Sequence, residues 1–261
     1  MDLAGQQSWS GVSSSTRLLV VAPHPDDESI ATGLLIQQVR AAGGEVRIVL
    51  LTAGDNNPWP QRWLERRVVI GVNDRRRWGK RRLAEMQQSI ACLGVPPDAL
   101  HSLGWPDLGV TGLLLESTNH AVAALATVIG EFTPNLIALP SLADRHPDHS
   151  SAHVLVRLAL CGHRPRPVLL MYLVHGERDD HASIELGGTP LQMANKFAAM
   201  EAHRSQMALS GPHMRRLTCR AERYAVELPA TQPEMTSLLP WQPPAWIQPG
   251  LRVSVVNAAG A

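Results

Sequence analysis

Two short runs of the chain crowd together side chains that bind cations or move protons. His24-Pro25-Asp26-Asp27-Glu28, entered through Ala22-Pro23, holds one imidazole and three carboxylates. Asp144-Arg145-His146-Pro147-Asp148-His149 holds two imidazoles and two carboxylates. Imidazole nitrogen and carboxylate oxygen are donors that zinc accepts. Adjacent carboxylates repel one another, and a divalent cation relieves that crowding. Each run also has a plainer explanation. An acidic residue at a helix start caps it and meets the positive end of the helix dipole. Capping accounts for one carboxylate per run and for none of the histidines. A His-Pro-Asp turn that occurs twice, each time between an apolar run and a helical one, favours a shared metal centre.

Such a centre needs a scaffold that brings distant runs together. Leu18–Ala22 and Val46–Thr52 read as buried strands, and Ile30–Ala42 between them reads as a helix stopped at Gly43-Gly44. This is a βαβ unit, which favours a parallel sheet. Further helices are expected over Arg81–Leu93, Asn119–Phe132, Ser150–Leu160 and Leu191–Met207. Further strands are expected over His101–Leu103, Leu136–Leu139 and Val168–Val174, with a late edge strand over Tyr224–Leu228. The alternation predicts an α/β fold: a Rossmann-like open, mainly parallel sheet with helices on both faces. Both His-Pro-Asp runs then fall at the carboxyl edge of the sheet, where such folds bind ligands.

Composition sets the remaining bounds. Net charge is +1, which gives the whole chain no bias toward nucleic acid. No apolar run of about 20 residues is present to span a bilayer. Residues 1–16 read as a disordered leader without the features of a secretion signal, residues 17–228 as a single domain, and residues 229–261 as a Pro-rich segment packed on or trailing from it. Cys92, Cys161 and Cys219 show no paired spacing, and Cys92 and Cys161 fall in apolar helical patterns. That usage fits a reducing cytoplasm.

The two runs resemble the signatures of the PIG-L family, also called LmbE-like deacetylases: Ala-x-His-Pro-Asp-Asp-Glu, and a later His-x-Asp-His. Arg82-Leu83-Ala84-Glu85 leading to Leu93-Gly94-Val95 is similar to a family helix. Pro106-Asp107 resembles its Pro-Asp-Gly turn, with Leu108 in place of glycine. Lys196 to Gln206 resembles its late helix. The resemblance covers Leu18 to Gln206. It implies a Rossmann-like fold, a single zinc (Fe2+ is also compatible) and hydrolysis of an N-acyl amide on a small amino sugar or glycoconjugate. By the family pattern His24, Asp27 and His149 are the metal ligands. Asp26 is the general base, a protonated His146 helps stabilise the oxyanion, and Asp148 supports a neighbouring histidine. Glu28 is as readily a capping residue as a chemical one.

Arg62 to Arg82 carries nine Lys or Arg against Glu65 and Asp74. A charge run is most often a solvated face. It would also suit an anionic substrate, with Arg82 the best contact because it matches a substrate-facing family position. Trp59, in the loop after the second strand, suits stacking on a sugar, or simple packing. Asp107 and His175 complete the expected substrate contacts. Two other functions fit the same residues: hydrolysis of a non-sugar amide, or a nucleic-acid or membrane-surface binder with a vestigial metal site.

Overall fold

The computed structural model describes residues 11–176 and 184–229. Strand β1 (Arg17–Ala22), helix α1 (Asp27–Ala41) and strand β2 (Glu45–Thr52) come first. Helices α2 (Pro58–Glu65) and α3 (Val72–Cys92) precede β3 (Leu100–Trp105). Helices α4 (Val110–Glu116) and α5 (Thr118–Phe132) lead to β4 (Leu136–Pro140), α6 (Pro147–Ala159) and β5 (Val168–Tyr172). Then come β6 (Ile184–Leu186), α7 (Pro190–Ala202), α8 (Arg204–Thr218) and β7 (Glu222–Glu227).

The strands form one sheet in the order β3-β2-β1-β4-β5-β7-β6. β3, β2, β1, β4 and β5 run parallel. β7 is antiparallel to β5, and β6 to β7. The chain moves outward from β1 to β2 and β3, then returns to lay β4 on the other side of β1. Where strand order reverses, an open sheet leaves a crevice at the carboxyl ends of its strands. Here that place lies between β1 and β4.

The strands beside the crevice are buried on both faces. Leu18, Val20 and Ala22 of β1 join a core with Leu35 and Ile36 of α1 and Met86 and Ile90 of α3. Leu19 and Val21 face the other way, onto Leu125 and Val128 of α5 and Leu155 and Val156 of α6. Successive strand residues point to opposite faces, so a strand covered twice reads as an unbroken apolar run. Each fully buried leucine contributes about 1.5–3 kcal/mol. The turns that follow β1 and β4 are therefore anchored in strands packed on both faces.

Several sequence expectations change in detail. The Asn56–Pro60 loop becomes the start of α2: Asn57 caps it through the N–H of Trp59, and Pro58 takes the first helical position. α3 begins at Val72 rather than Arg81. Asp74 accepts the Gly71 N–H at 3.0 Å, the arginine run favours helix, and Trp78 is buried. The single helix expected over Leu191–Met207 is two, α7 and α8, broken at His203. The late strand is not at the edge, because the three-residue β6 covers it. Cys92 and Cys161 are half-buried rather than core, and Cys219 is exposed.

Residues 11–16, expected within the disordered leader, are tied to the domain: Thr16 is buried and Asn135 Nδ2 donates to the Ser15 carbonyl at 2.8 Å. The remainder of the expected leader, residues 1–10, and the C-terminal segment after Pro229 lie outside the described residues. No single described helix is long and apolar enough to cross a membrane.

Candidate metal centre and catalytic turn

The two His-Pro-Asp runs meet at the switch point, one between β1 and α1, the other between β4 and α6. Three donors face a common point. His24 Nδ1 is 3.4 Å from Asp27 Oδ2, His149 Nε2 is 3.2 Å from the same oxygen, and the two nitrogens are 3.3 Å apart. Donors around a tetrahedral zinc with bonds of about 2.1 Å stand about 3.4 Å from one another. Among the described residues, His146, His175, Asp107 and Asp148 also fall into sets of donors within 4.8 Å of one another in this cluster.

Carboxylates back both imidazoles. His24 Nε2 lies 3.3 Å from Asp107 Oδ1 and 3.3 Å from Asp148 Oδ2. Asp148 is fixed by the N–H groups of Leu108 at 2.8 Å and Val110 at 3.1 Å, and Asp107 by that of Asn56 at 2.6 Å. His149 Nδ1 lies 3.2 Å from Asp144 Oδ2. Asp144 in turn accepts the N–H groups of His146, Val174 and His175. A carboxylate behind an imidazole fixes the ring of a metal ligand and raises its basicity.

The charge balance asks for a cation. Burial disfavours charge on both rings, but the carboxylates outweigh it. His24 is held well above its usual range by Asp107, Asp148 and Asp27, and His149 is raised to about 9 by Asp27 and Asp144. Four acids thus demand positive charge where the donors converge, and one dication supplies it. Donor type, spacing and charge all fit a metal ion.

Asp26 stands beside this triad, in an unusual backbone state. Its φ is 114°, which side chains other than glycine's rarely allow. Although it precedes α1, its side chain makes no capping bond, so capping does not explain it. Its N–H donates to Glu28 Oε2 at 2.9 Å. The fully buried Glu28 Oε1 accepts from Ser29 and Ser89 at 2.7 Å each and lies 2.8 Å from His203 Nε2. Arg82 donates to Asp26 Oδ2 at 3.2 Å and to the carbonyls of Pro25 at 2.6 Å and Gly54 at 2.5 Å. A Cβ on Gly54, whose φ is +60°, would stand 1.7 Å from Arg82 Nη1, so only glycine leaves room for the guanidinium. Burial raises the Asp26 carboxyl, Arg82 pulls it back and Asp27 pushes it up again, to about 6.

His146 caps α6 by accepting the Asp148 N–H on Nδ1 at 3.2 Å. A neutral ring so bonded carries its proton on Nε2. Burial and the nearby His24, His149 and His175 push its pKa down to about 4. The sequence reading expects this ring protonated, whereas a pKa pushed down in this way leaves it neutral near pH 7.

The other expected contacts divide. Arg82 is buried against the Asp26 turn, and Asp107 is spent on His24 and Asn56. His175 joins the cluster, its ring centroid 4.9 Å from that of His149 and 5.2 Å from that of His146. Trp59 stands exposed on α2 with the Arg62 guanidinium 5.1 Å from its ring centre. Sequence reasoning gave no role to Asp144, although it lies in the second run, and no chemical role to His203 in the late helix. It also missed Asp55, which follows β2 at the same sheet edge. Burial raises the Asp55 carboxyl, and Asp107 adds to the shift. Its position after a parallel strand was the available signal.

A His/Asp centre at the β1/β4 switch point of such a sheet defines an LmbE-like α/β protein. The chain belongs to the PIG-L family, described as GlcNAc-PI de-N-acetylase, which it matches over residues 19–160. It is 31% identical over 162 residues to the 1D-myo-inositol 2-acetamido-2-deoxy-alpha-D-glucopyranoside deacetylase of Mycobacterium leprae (strain Br4923), covering 57% of this chain and 51% of that protein. The chain spans about half the length of the curated relatives it matches. Its fold is similar to that of N,N'-diacetylchitobiose deacetylase from Pyrococcus horikoshii, with a TM-score of 0.64 at 19% identity over 84% of this chain and 87% of that one. It is also similar to that of GalB, the 4-carboxy-2-hydroxymuconate hydratase of Pseudomonas putida KT2440, with a TM-score of 0.55 at 17% identity over 88% of this chain and 99% of that one. These last two likenesses are of fold alone.

Proposed function

We propose that the chain is a zinc-dependent hydrolase that removes an N-acetyl group from an amino-sugar-containing molecule. One observation carries the reading: three donors spaced for a tetrahedral ion, with an unligated carboxylate beside them. The names of the curated relatives supply the substrate class, and the resemblance supplies the choice of zinc. His24, Asp27 and His149 would hold the ion, a set that iron would also satisfy. Zinc when bound would polarise the acyl oxygen and ease loss of a proton from water.

The chain's own residues do the rest. Asp26, near neutrality and held by Arg82, takes the proton from the attacking water. The Nε2–H of neutral His146 donates to the oxygen as it gains charge. Asp26 then returns its proton to the departing amine, a task for which His146 is too weakly basic. Asp107, Asp144 and Asp148 orient the two imidazoles. His175 and Asp55 line the approach for the sugar. The unpaired cysteines suit a reducing compartment, and we place the enzyme in the cytoplasm.

The test is acetate release from N-acetylated monosaccharides, nucleotide sugars and lipid-linked sugars, with chelator-treated and zinc-restored protein. Zinc-dependent acetate from any of these supports the reading. Acetate release that chelation leaves untouched, or none from the whole panel with the zinc-loaded protein, overturns it. GalB shows that this architecture can host another reaction, so the panel, not the fold, decides.

A further inference from the structure

The basic stretch Arg62 to Arg82 also carries exposed apolar side chains. Trp59 and Trp63 are 64% and 66% exposed, and one helical turn apart on α2 they share a face. The connection to α3 and its first residue add Val68, Val69 and Val72, at 83%, 79% and 67%. Aromatic and branched aliphatic side chains this exposed and this close in sequence are not ordinary surface.

Cations lie between them along the chain. Glu65 and Asp74, the acids of the stretch, are taken by Arg67 and Arg77. Arg66, Arg76 and Lys80 are exposed and have no carboxylate partner among the described residues. The stretch therefore exposes apolar groups interleaved along the chain with cations that have no carboxylate partner among the described residues.

We propose that α2 and the start of α3 form a docking surface for an anionic lipid bilayer. Tryptophan prefers the boundary between headgroups and acyl chains, and arginine and lysine meet anionic headgroups. Each basic side chain near such a surface is worth about 1 kcal/mol. A second copy of the chain fits less well, because a two-fold contact would set these cations against their own kind. Nucleic acid would use the tryptophans but not Val68, Val69 and Val72, which offer bases nothing to stack on. The face adjoins the catalytic crevice: Asn57 caps α2, and its neighbour Asn56 holds Asp107 behind His24. Docking would place the crevice at the membrane.

The test is flotation of the full chain with phosphatidylcholine vesicles, with or without roughly 30% phosphatidylglycerol. Binding to the anionic vesicles should exceed binding to the neutral ones about tenfold or more and fall as salt rises. Two variants, Trp63→Ser/Val69→Ser and Arg66→Ser/Arg76→Ser, should each cut it about tenfold with an unchanged thermal midpoint. The second pair touches only the exposed rim and guards against misfolding of the first. Chelator-treated protein should bind equally, so failure here is separate from failure of the hydrolase reading. Equal or absent binding to both vesicles overturns the proposal. So does a dimer that Trp63→Ser/Val69→Ser dissociates, or retardation of nucleic acid that these variants abolish.

Discussion

The backbone N–H of Asp26 is bonded to the carboxylate of Glu28, two residues on, at 2.9 Å. That bond spans the turn in which Asp26 holds a φ of 114°. A left-handed conformation in a residue other than glycine persists only where surroundings impose it. Here Glu28 imposes it, itself pinned by Ser29, Ser89 and His203. Glu28→Gln keeps the shape but removes the charge. We expect turnover to fall about 10–100-fold, with metal content and KM nearly unchanged, as for other supporting groups around metal sites. A Glu28→Gln enzyme with the parental kcat would sever the link between this bond and the proposed base.

Asp26 itself should separate binding from chemistry. It lies beside the donor triad without belonging to it. Asp26→Asn should retain one bound metal per chain and lose about 100- to 10,000-fold in kcat. Metal analysis alongside acetate release checks both halves. Loss of metal together with activity would reassign Asp26 as a ligand.

Asp144 offers a test of the centre that touches no proposed ligand atom. It lies 3.2 Å behind His149 and ties the second run to the end of β5 through Val174 and His175. Asp144→Asn should weaken metal affinity about 10–100-fold, read by competition with a chelator of known affinity. An unchanged affinity would mean that Asp144 serves the loop and not the metal.

The parts legible in the sequence are those whose signal is local. β1, β2 and β4 announce themselves as apolar runs because helices cover them on both sides. Two His-Pro-Asp turns mark the crevice because like charges seldom gather without a reason. What stayed hidden is long-range or brief. Nothing near His203 says that a helix breaks there, since the partners at the break, Glu28 for the His203 ring and Glu85 for the Ser205 N–H, lie far back in the chain. The service of Asp144 to His149 depends on how its turn folds back. β6 has three residues, too few for a pattern. The Pro-Trp-Pro start of α2 reads as a loop until Asn57 is recognised as its cap. Arg82 is expected as a substrate contact from its match to a family position, and its burial against Gly54 and Pro25 leaves no trace in spacing.

The His203–Glu28 pair makes a prediction about pH whose sign can be worked out. Burial would lower the pKa of His203, but the charge of Glu28 outweighs it and raises the imidazole above 6.5. Burial would raise Glu28, but His203 outweighs it and holds the carboxyl below 4.5. A raised histidine stabilises the fold fully below its unfolded pKa, and that gain is lost as pH rises through the folded value. A lowered carboxyl does the reverse, stabilising above its unfolded pKa and failing as pH falls through the folded value. The pair is therefore at full strength between about 4.5 and 6.5. The gap in thermal midpoint between the parent chain and His203→Gln should be widest near pH 5.5 and shrink toward pH 10. His203 contacts none of the proposed metal ligands, so the comparison is made with metal bound throughout. A gap that widens steadily to pH 10 would show that His203 acts in the fold as a neutral group, and that Glu28 holds Asp26 without it.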